Sequence, residues 1–396
     1  GHCCDLEEAK IISRSILASH LKTLINNEGF LREGSSHYQF LITRWLLELR
    51  LIAEELNDTE TFDIIKDFLP RMVKACKFFL VETSNYQLDM VLFGDISPDC
   101  EPSWLIGLTN SPLAQFGRNT ASKNLVGWAG LFKDFISQSD YLWPFSSSTE
   151  FGWAENIKSD WRRLDYRNWV AIWHVSSPSG APIASHAHYD FGSPVVYFKG
   201  KEVLIDVGRL EYENTEMSNY GLLAQAHSSL TVNGLSMVLS RRDHRIPEFH
   251  RNAETHIWLE KGSGWREVTI SHDGFNRIGG NIGRHIRKFI FTKDRLEISD
   301  LVQGSGAVLF ETFFQFPKLP KNIEIPFGRE NPCAERMDME FKSNSTLLKL
   351  CTFICSKDPI GGWRFKTFGI RNAAVTLKLS AIVELPFESK YEIFKE

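Results

Sequence analysis

The stretch ASHAHYDFGSPVVYFKGKEVLIDVG, residues 184–208, decides how the chain is read, because its apolar residues no longer follow a helical period. SPVVYF and EVLIDV are β-branched and aromatic runs separated by a Lys-Gly-Lys turn signal, and they read as a hairpin. His186, His188 and Asp190 stand where the chain enters it. Successive side chains of a strand point to opposite faces, so the spacing predicts His186 and His188 on one face. Two neighbouring imidazoles suit a metal site, an acid/base pair, or one of each.

Working outward, the period of two persists to the C-terminus. NWVAIWHV, SSLTVNG, THIWLE, REVTIS, RKFIFT, LEISDLV, LFETFFQF, LLKLCTF and AAVTLKLSAIVEL all read as strands between Gly, Asn, Asp or Lys clusters. Their short spacing predicts antiparallel hairpins stacked as a sandwich. Upstream the period is helical. Ile12, Ile16, Leu17, Leu21, Leu24 and Ile25 form one stripe, and Phe40, Trp45, Leu49 and Ile52 a second. Ile64, Phe68, Met72, Cys76 and Phe79 form a third, which Pro70 either kinks or restarts. Leu125, Trp128, Phe132 and Ile136 form a fourth. The fold class is therefore α+β multidomain: a helical domain over residues 1–145, then an antiparallel multi-sheet β-sandwich over 150–396. SQSDYLWPFSSSTEFGW supplies the linker between them. The helical stripes are wide, as if they belonged to a larger helical array with further members outside this chain.

The 396 residues suffice for two or three domains and a large core. With a net charge of −4 and no Lys/Arg stripe, no field attracts nucleic acid. No apolar run approaches the ~20 residues of a membrane helix, and no signal segment is visible. Seven cysteines without a Cys-x-x-Cys pair argue against a thiolate zinc site. Aromatic residues make up 12% of the chain, which fits a large β core better than a sugar-stacking groove.

Three residues at strand ends stand out: His188, Asp206 closing EVLID, and His227 opening HSSLTVNG. Two histidines and a carboxylate form a recurring zinc set. Hydrogen-bonded histidines in a polar turn region are the plainer reading of the same residues. In the helical half, EGFLREGSSHYQFL (28–41) interrupts an apolar pattern. There Ser35 or Ser36 reads as an N-cap and Tyr38 as a core residue with a satisfied hydroxyl.

Together, EGFLREGSSHYQFL, HAHYDFGSPVVYFKGKEVLIDVGRLEY and AHSSLTVNG resemble the heparinase II/III family of polysaccharide lyases. LFGDIS (92–97) is similar to that family's Gly-Asp segment, and GRHIRKFIFTKDRLEISDLVQGSG (283–306) to its later H-x-R strand pair. The order and separation of the motifs carry the resemblance. It implies an incomplete (α/α) toroid before the sandwich, with the cleft between them. It places Tyr38 on the catalytic tyrosine and His186 on the catalytic or substrate-contacting histidine. It places His188, Asp206 and His227 on the ligands of one structural zinc per chain. Glu33 and Tyr212 fall on substrate-binding positions. The implied partner is an acidic polysaccharide, and the implied location periplasmic or secreted, in a bacterium.

One departure matters. The family carries an Asn or His upstream of the tyrosine, facing the substrate carboxylate, and the residues before Tyr38 contain no such motif. This predicts a missing N-terminal segment, completion by a homo-oligomer, or a catalytically impaired glycan-binding member. A metal-dependent hydrolase with Asp190 as base is the third reading. A lyase must neutralise the uronate carboxylate, take the adjacent proton and protonate the leaving oxygen. Histidine, with a pKa near 6.5, suits the base or neutraliser, and tyrosine, near 10, suits the acid. A single tyrosine doing both remains open.

Overall fold

The computed structural model describes residues 6–83, 88–99, 160–175, 186–237, 255–279, 281–318, 335–343 and 346–394. Two compact units divide the chain: Gly1–Leu92 with Ile96–Glu150, and Phe93–Asp95 with Phe151–Glu396. The three residues Phe93–Asp95 thus belong with the β unit although they lie between two segments of the helical unit. The fourth helical stripe and the linker segment lie outside the described residues.

In the helical unit, α1 spans Glu7–Leu24, α2 Ser36–Glu55, α3 Thr59–Ile65 and α4 Leu69–Phe78. A short antiparallel pair follows, β1 (Leu80–Glu82) and β2 (Leu88–Met90). Pro70 does not kink a helix. It stands in the first turn of α4, where its missing N–H has no helical partner to lose. Asp58 caps α3 by accepting the Thr61 N–H, and Arg14 pairs with Asp58 at 2.7 Å. Leu21, Leu46, Ile65, Leu69 and Met72 form the core. The apolar stripe of α1 is only partly covered: Ile11, Ile12 and Ile16 are 64%, 55% and 53% exposed. No helix among the described residues is long and apolar enough to cross a membrane.

The β unit holds two main sheets. The first is antiparallel and four-stranded, in the order β3 (Trp161–Tyr166), β4 (Trp169–His174), β5 (Pro194–Phe198), β6 (Lys201–Leu204). A five-residue helix, α5 (Glu216–Tyr220), precedes β7 (Leu230–Val232). Next come β8 (Thr255–Gly262), β9 (Trp265–His272), β10 (Ile282–Phe291) and β11 (Arg295–Phe316). They are followed by β12 (Glu335–Ser343) and β13 (Thr346–Ile354). After the small hairpins β14 (Ser356–Lys357) with β15 (Ile360–Gly361) and β16 (Trp363–Thr367) with β17 (Ile370–Ala373), β18 (Val375–Phe394) ends the sheet. The second sheet has the order β12-β13-β18-β11-β10-β9-β8, and β7 adds to β11.

Trp169 and Trp173 of the first sheet meet Phe291 and Phe289 of the second edge-on, at 5.7 and 5.4 Å. The two inner faces share one apolar core, which defines the sandwich. LEISDLV and LFETFFQF, read above as two strands, are a single strand. The Gly-Ser-Gly cluster between them is a register shift between Val302 and Gly306, and β18 pairs across it on both sides. Glycines that read as a turn here bend a continuous strand instead.

Candidate active site and metal centre

His186 and His188 do not lie on a strand. Residues 186–190 form an irregular segment, and β5 starts only at Pro194. The expected shared strand face is therefore replaced by another device. Asp95, 1% exposed, accepts from both histidines: Oδ2 lies 3.3 Å from His186 Nδ1 and Oδ1 lies 2.9 Å from His188 Nε2. The Asp95 N–H also donates to the His186 carbonyl at 2.9 Å. Arg209 Nη1 approaches Asp95 Oδ2 at 3.3 Å. Burial alone would push the Asp95 carboxyl up. The bonds from His186 and His188, with the charges of His188 and Arg209, outweigh it and hold the group well below the usual carboxylate range.

His188, Asp206 and His227 are brought together, each offering one ligand atom, with all three atoms within 4.8 Å of one another. Asp206 lies two residues beyond β6 and His227 three before β7. The D-x-G spacing has a local cause. Gly208 adopts φ +72°, and its N–H donates to Asp206 Oδ1 at 2.7 Å. That turn leaves Asp206 Oδ2 facing His227 Nδ1 at 3.3 Å. Gly221 is required by proximity: a Cβ there would lie 2.3 Å from the Gly208 carbonyl oxygen. Its own carbonyl accepts from His227 Nε2 at 3.2 Å.

The donor set fits a divalent ion. A carboxylate and a carbonyl only accept, so His188 and His227 carry their protons on Nε2. Among the described residues, His188 Nδ1 and His227 Nδ1 are buried and have no hydrogen-bond partner. Ligating histidines characteristically donate their second N–H to a carboxylate or carbonyl in this way. Burial lowers the basicity of His227, but the charge of Asp206, whose Oδ2 stands 3.3 Å from Nδ1, outweighs that and raises its pKa. A proton on His227 would occupy the place of the ion.

His174 and Asp190 form a second buried pair at 3.1 Å. Burial opposes both charges; the pairing prevails, raising His174 and lowering Asp190. Asp190 is committed to His174, so it is a poor general base for the hydrolase reading.

In the helical unit, Ser35 caps α2 by accepting the Tyr38 N–H at 3.1 Å. Tyr38 packs half-buried on the helical core, and Glu33 is half-buried in the turn ahead of it. Buried Gln39 ties that turn to α2, with Oε1 accepting the Leu31 N–H at 2.6 Å and Nε2 donating to the Gly29 carbonyl at 3.1 Å. Tyr212 of the β unit is 39% exposed; it sits under the Arg209 guanidinium at 5.1 Å and beside Phe368 at 5.3 Å. Asp95, Arg209 and His174 had no assigned role in the sequence. Asp95 reaches histidines more than ninety positions away, and only its place in LFGDIS signalled it.

An antiparallel sandwich with a His/Asp/His triad at its strand ends defines the class. Residues 156–385, more than half of the chain, match the heparinase II/III-like C-terminal family, and the chain belongs to the heparinase II/III-like family. Heparan sulfate lyase HepC from Pedobacter heparinus is similar with a TM-score of 0.59 at 15% identity, covering 98% of this chain and 56% of that one. A heparinase III, the BT4657 gene product, is similar with a TM-score of 0.58 at 16% identity, covering 99% and 57%. A further heparinase III gives 0.58 at 16% identity, covering 96% and 56%. At these identities the likeness shows the fold. The chain spans little more than half the length of these proteins. No curated protein matches it in sequence.

Proposed function

We propose that this protein is a polysaccharide lyase that cleaves a uronic-acid-containing acidic polysaccharide by β-elimination. The observation that carries the reading is a difference in exposure. The His186 side chain is 22% exposed, whereas those of His188 and His227 are fully enclosed. The histidine fit to meet a polymer thus stands two residues from a metal ligand, and family membership supplies the chemistry.

In this reading Asp95 keeps the proton of His186 on Nδ1, so Nε2 is the nitrogen that takes the proton next to the uronate carboxylate, or faces that carboxylate as its neutraliser. Tyr38 protonates the leaving sugar oxygen, and Glu33 and Tyr212 contact the sugar. Zinc is the ion of His188, Asp206 and His227. When bound it supplies structural rigidity: it pins the 186–190 segment to the ends of two strands. The helical domain (1–145) belongs to an (α/α) toroid and the β domain (150–396) carries the centre. A periplasmic or secreted location goes with such a substrate.

The test is a panel of uronic-acid polysaccharides read at the ultraviolet band of the unsaturated product. Turnover lost in His186→Gln supports the proposal. Binding without turnover on every polymer would favour the impaired glycan-binding member, and water-dependent cleavage without the unsaturated product would favour a hydrolase.

A further inference from the structure

The carboxylate of Asp95 is used by more than one group, and the division between its oxygens is informative. Oδ1 takes His188 Nε2 and Oδ2 takes His186 Nδ1 and Arg209 Nη1. We propose that Asp95 is the positioning carboxylate of the centre, so that seating of the metal through His188 and orientation of His186 depend on one side chain. The role given to His186 rests on the lyase reading; the hold on His188 does not.

A buried ionised carboxylate is costly unless several donors meet it. Asp95 has two imidazole N–H groups and a guanidinium, and its backbone N–H fixes it to the His186 carbonyl. The same contacts determine both rings. Because Asp95 accepts at Nδ1 of His186, the basic nitrogen of that ring is Nε2. Because it accepts at Nε2 of His188, the basic nitrogen of that ring is Nδ1, the atom that among the described residues is buried without a partner, beside Asp206 and His227. The histidines use opposite nitrogens, and one carboxylate sets both tautomers.

An asparagine has one accepting oxygen and an amide that donates. In Asp95→Asn the amide would face one imidazole N–H with another donor, and that ring must turn or change tautomer. If His188 changes, Nδ1 gains a proton and ceases to be a ligand. If His186 changes, Nε2 is no longer basic. An aspartate that merely filled space would show neither effect.

The experiment uses the full chain with zinc as the probe. In Asp95→Asn, zinc affinity by competition with a chromophoric chelator should fall roughly 10–100-fold. On any polymer the protein cleaves, kcat should fall by about 10²-fold or more with KM changed less than about threefold. Zinc affinity within about threefold of the parent, with kcat unchanged, overturns the proposal. Should the variant not fold, histidine-labelled parent protein decides. Long-range ¹H–¹⁵N correlations, assigned with His186→Gln, should show His186 as the Nδ1–H tautomer and zinc-loaded His188 protonated on Nε2. His186 as the Nε2–H tautomer overturns the proposal. If no polymer is cleaved, the lyase reading fails while the zinc and tautomer results still judge Asp95.

Discussion

Stripping the ion from the His188, Asp206 and His227 centre should lower the melting temperature of the β unit by roughly 8–16 °C. The magnitude follows from two atoms. His188 Nδ1 and His227 Nδ1 are buried without hydrogen-bond partners among the described residues. A buried polar atom left unsatisfied costs about 1–3 kcal/mol, so coordinating both recovers roughly 2–6 kcal/mol. Mass action gives a similar figure, about 4 kcal/mol at a thousandfold excess of ligand over Kd. For a unit of this size each kcal/mol moves the melting temperature by about 2–4 °C. The assay is calorimetry on protein purified without added metal, before and after dialysis against a chelator, with elemental analysis of both samples. His227→Ala should melt low and ignore the chelator. Protein that emerges without metal and gains nothing from added zinc would refute the reasoning, as would full metal content in His188→Ala.

Other outcomes test the reading elsewhere. Tyr38→Phe keeps the ring on the helical core and removes only the hydroxyl; turnover should fall by roughly 10²-fold with little change in melting temperature. If the hydroxyl is only a buried structural group, stability should drop by about 1 kcal/mol and activity should track the folded fraction. Ser35→Ala removes the cap that accepts the Tyr38 N–H and should cost about 1 kcal/mol in a denaturant titration of the helical unit. Arg364 makes a two-pronged pair with Glu202 at 2.6 and 2.7 Å. Burial pushes the Glu202 carboxyl up, but Arg364 outweighs it and holds it below its ordinary value. A carboxyl depressed on folding stabilises above its unfolded pKa, about 4.3, and that stabilisation fades as pH falls through the folded value. Arg364→Met should therefore cost roughly 2–4 kcal/mol in urea unfolding at pH 7. The gap should narrow at pH 3; a constant gap would count against the pair.

Much of the β unit was legible because its strands are rich in β-branched and aromatic residues. SPVVYF, THIWLE and RKFIFT fall on β5, β8 and β10. ERMDMEFKS carries little strand signal: it forms β12, yet alternates Met with charged residues and lacks a β-branched residue. The convergence of His188, Asp206 and His227 was legible because D-x-G is a local turn and H-S-S leads into a strand. The manner in which His186 and His188 are held was not legible. Their alternation matched a strand, whereas the restraint is a buried carboxylate at the end of a different stretch of chain, and no local pattern encodes a partner over ninety positions away. The stripe of α1 was correctly periodic, but periodicity does not report which face a neighbour covers.

The order in which the large sheet can be assembled follows from β18. It is the last described strand, yet it lies inside the sheet, between β13 and β11. It pairs with β11 from Arg295↔Phe394 to Phe316↔Val375. A ribosome adding roughly 5–20 residues per second needs about 3–12 s to travel from Phe316 to Val375. Throughout that interval β11 presents a long row of unpaired backbone groups, and β13 emerges with no inner neighbour. The nascent protein therefore stays adhesive until Val375 and the residues after it emerge, and a chain halted before Val375 should be captured by chaperones or precipitate.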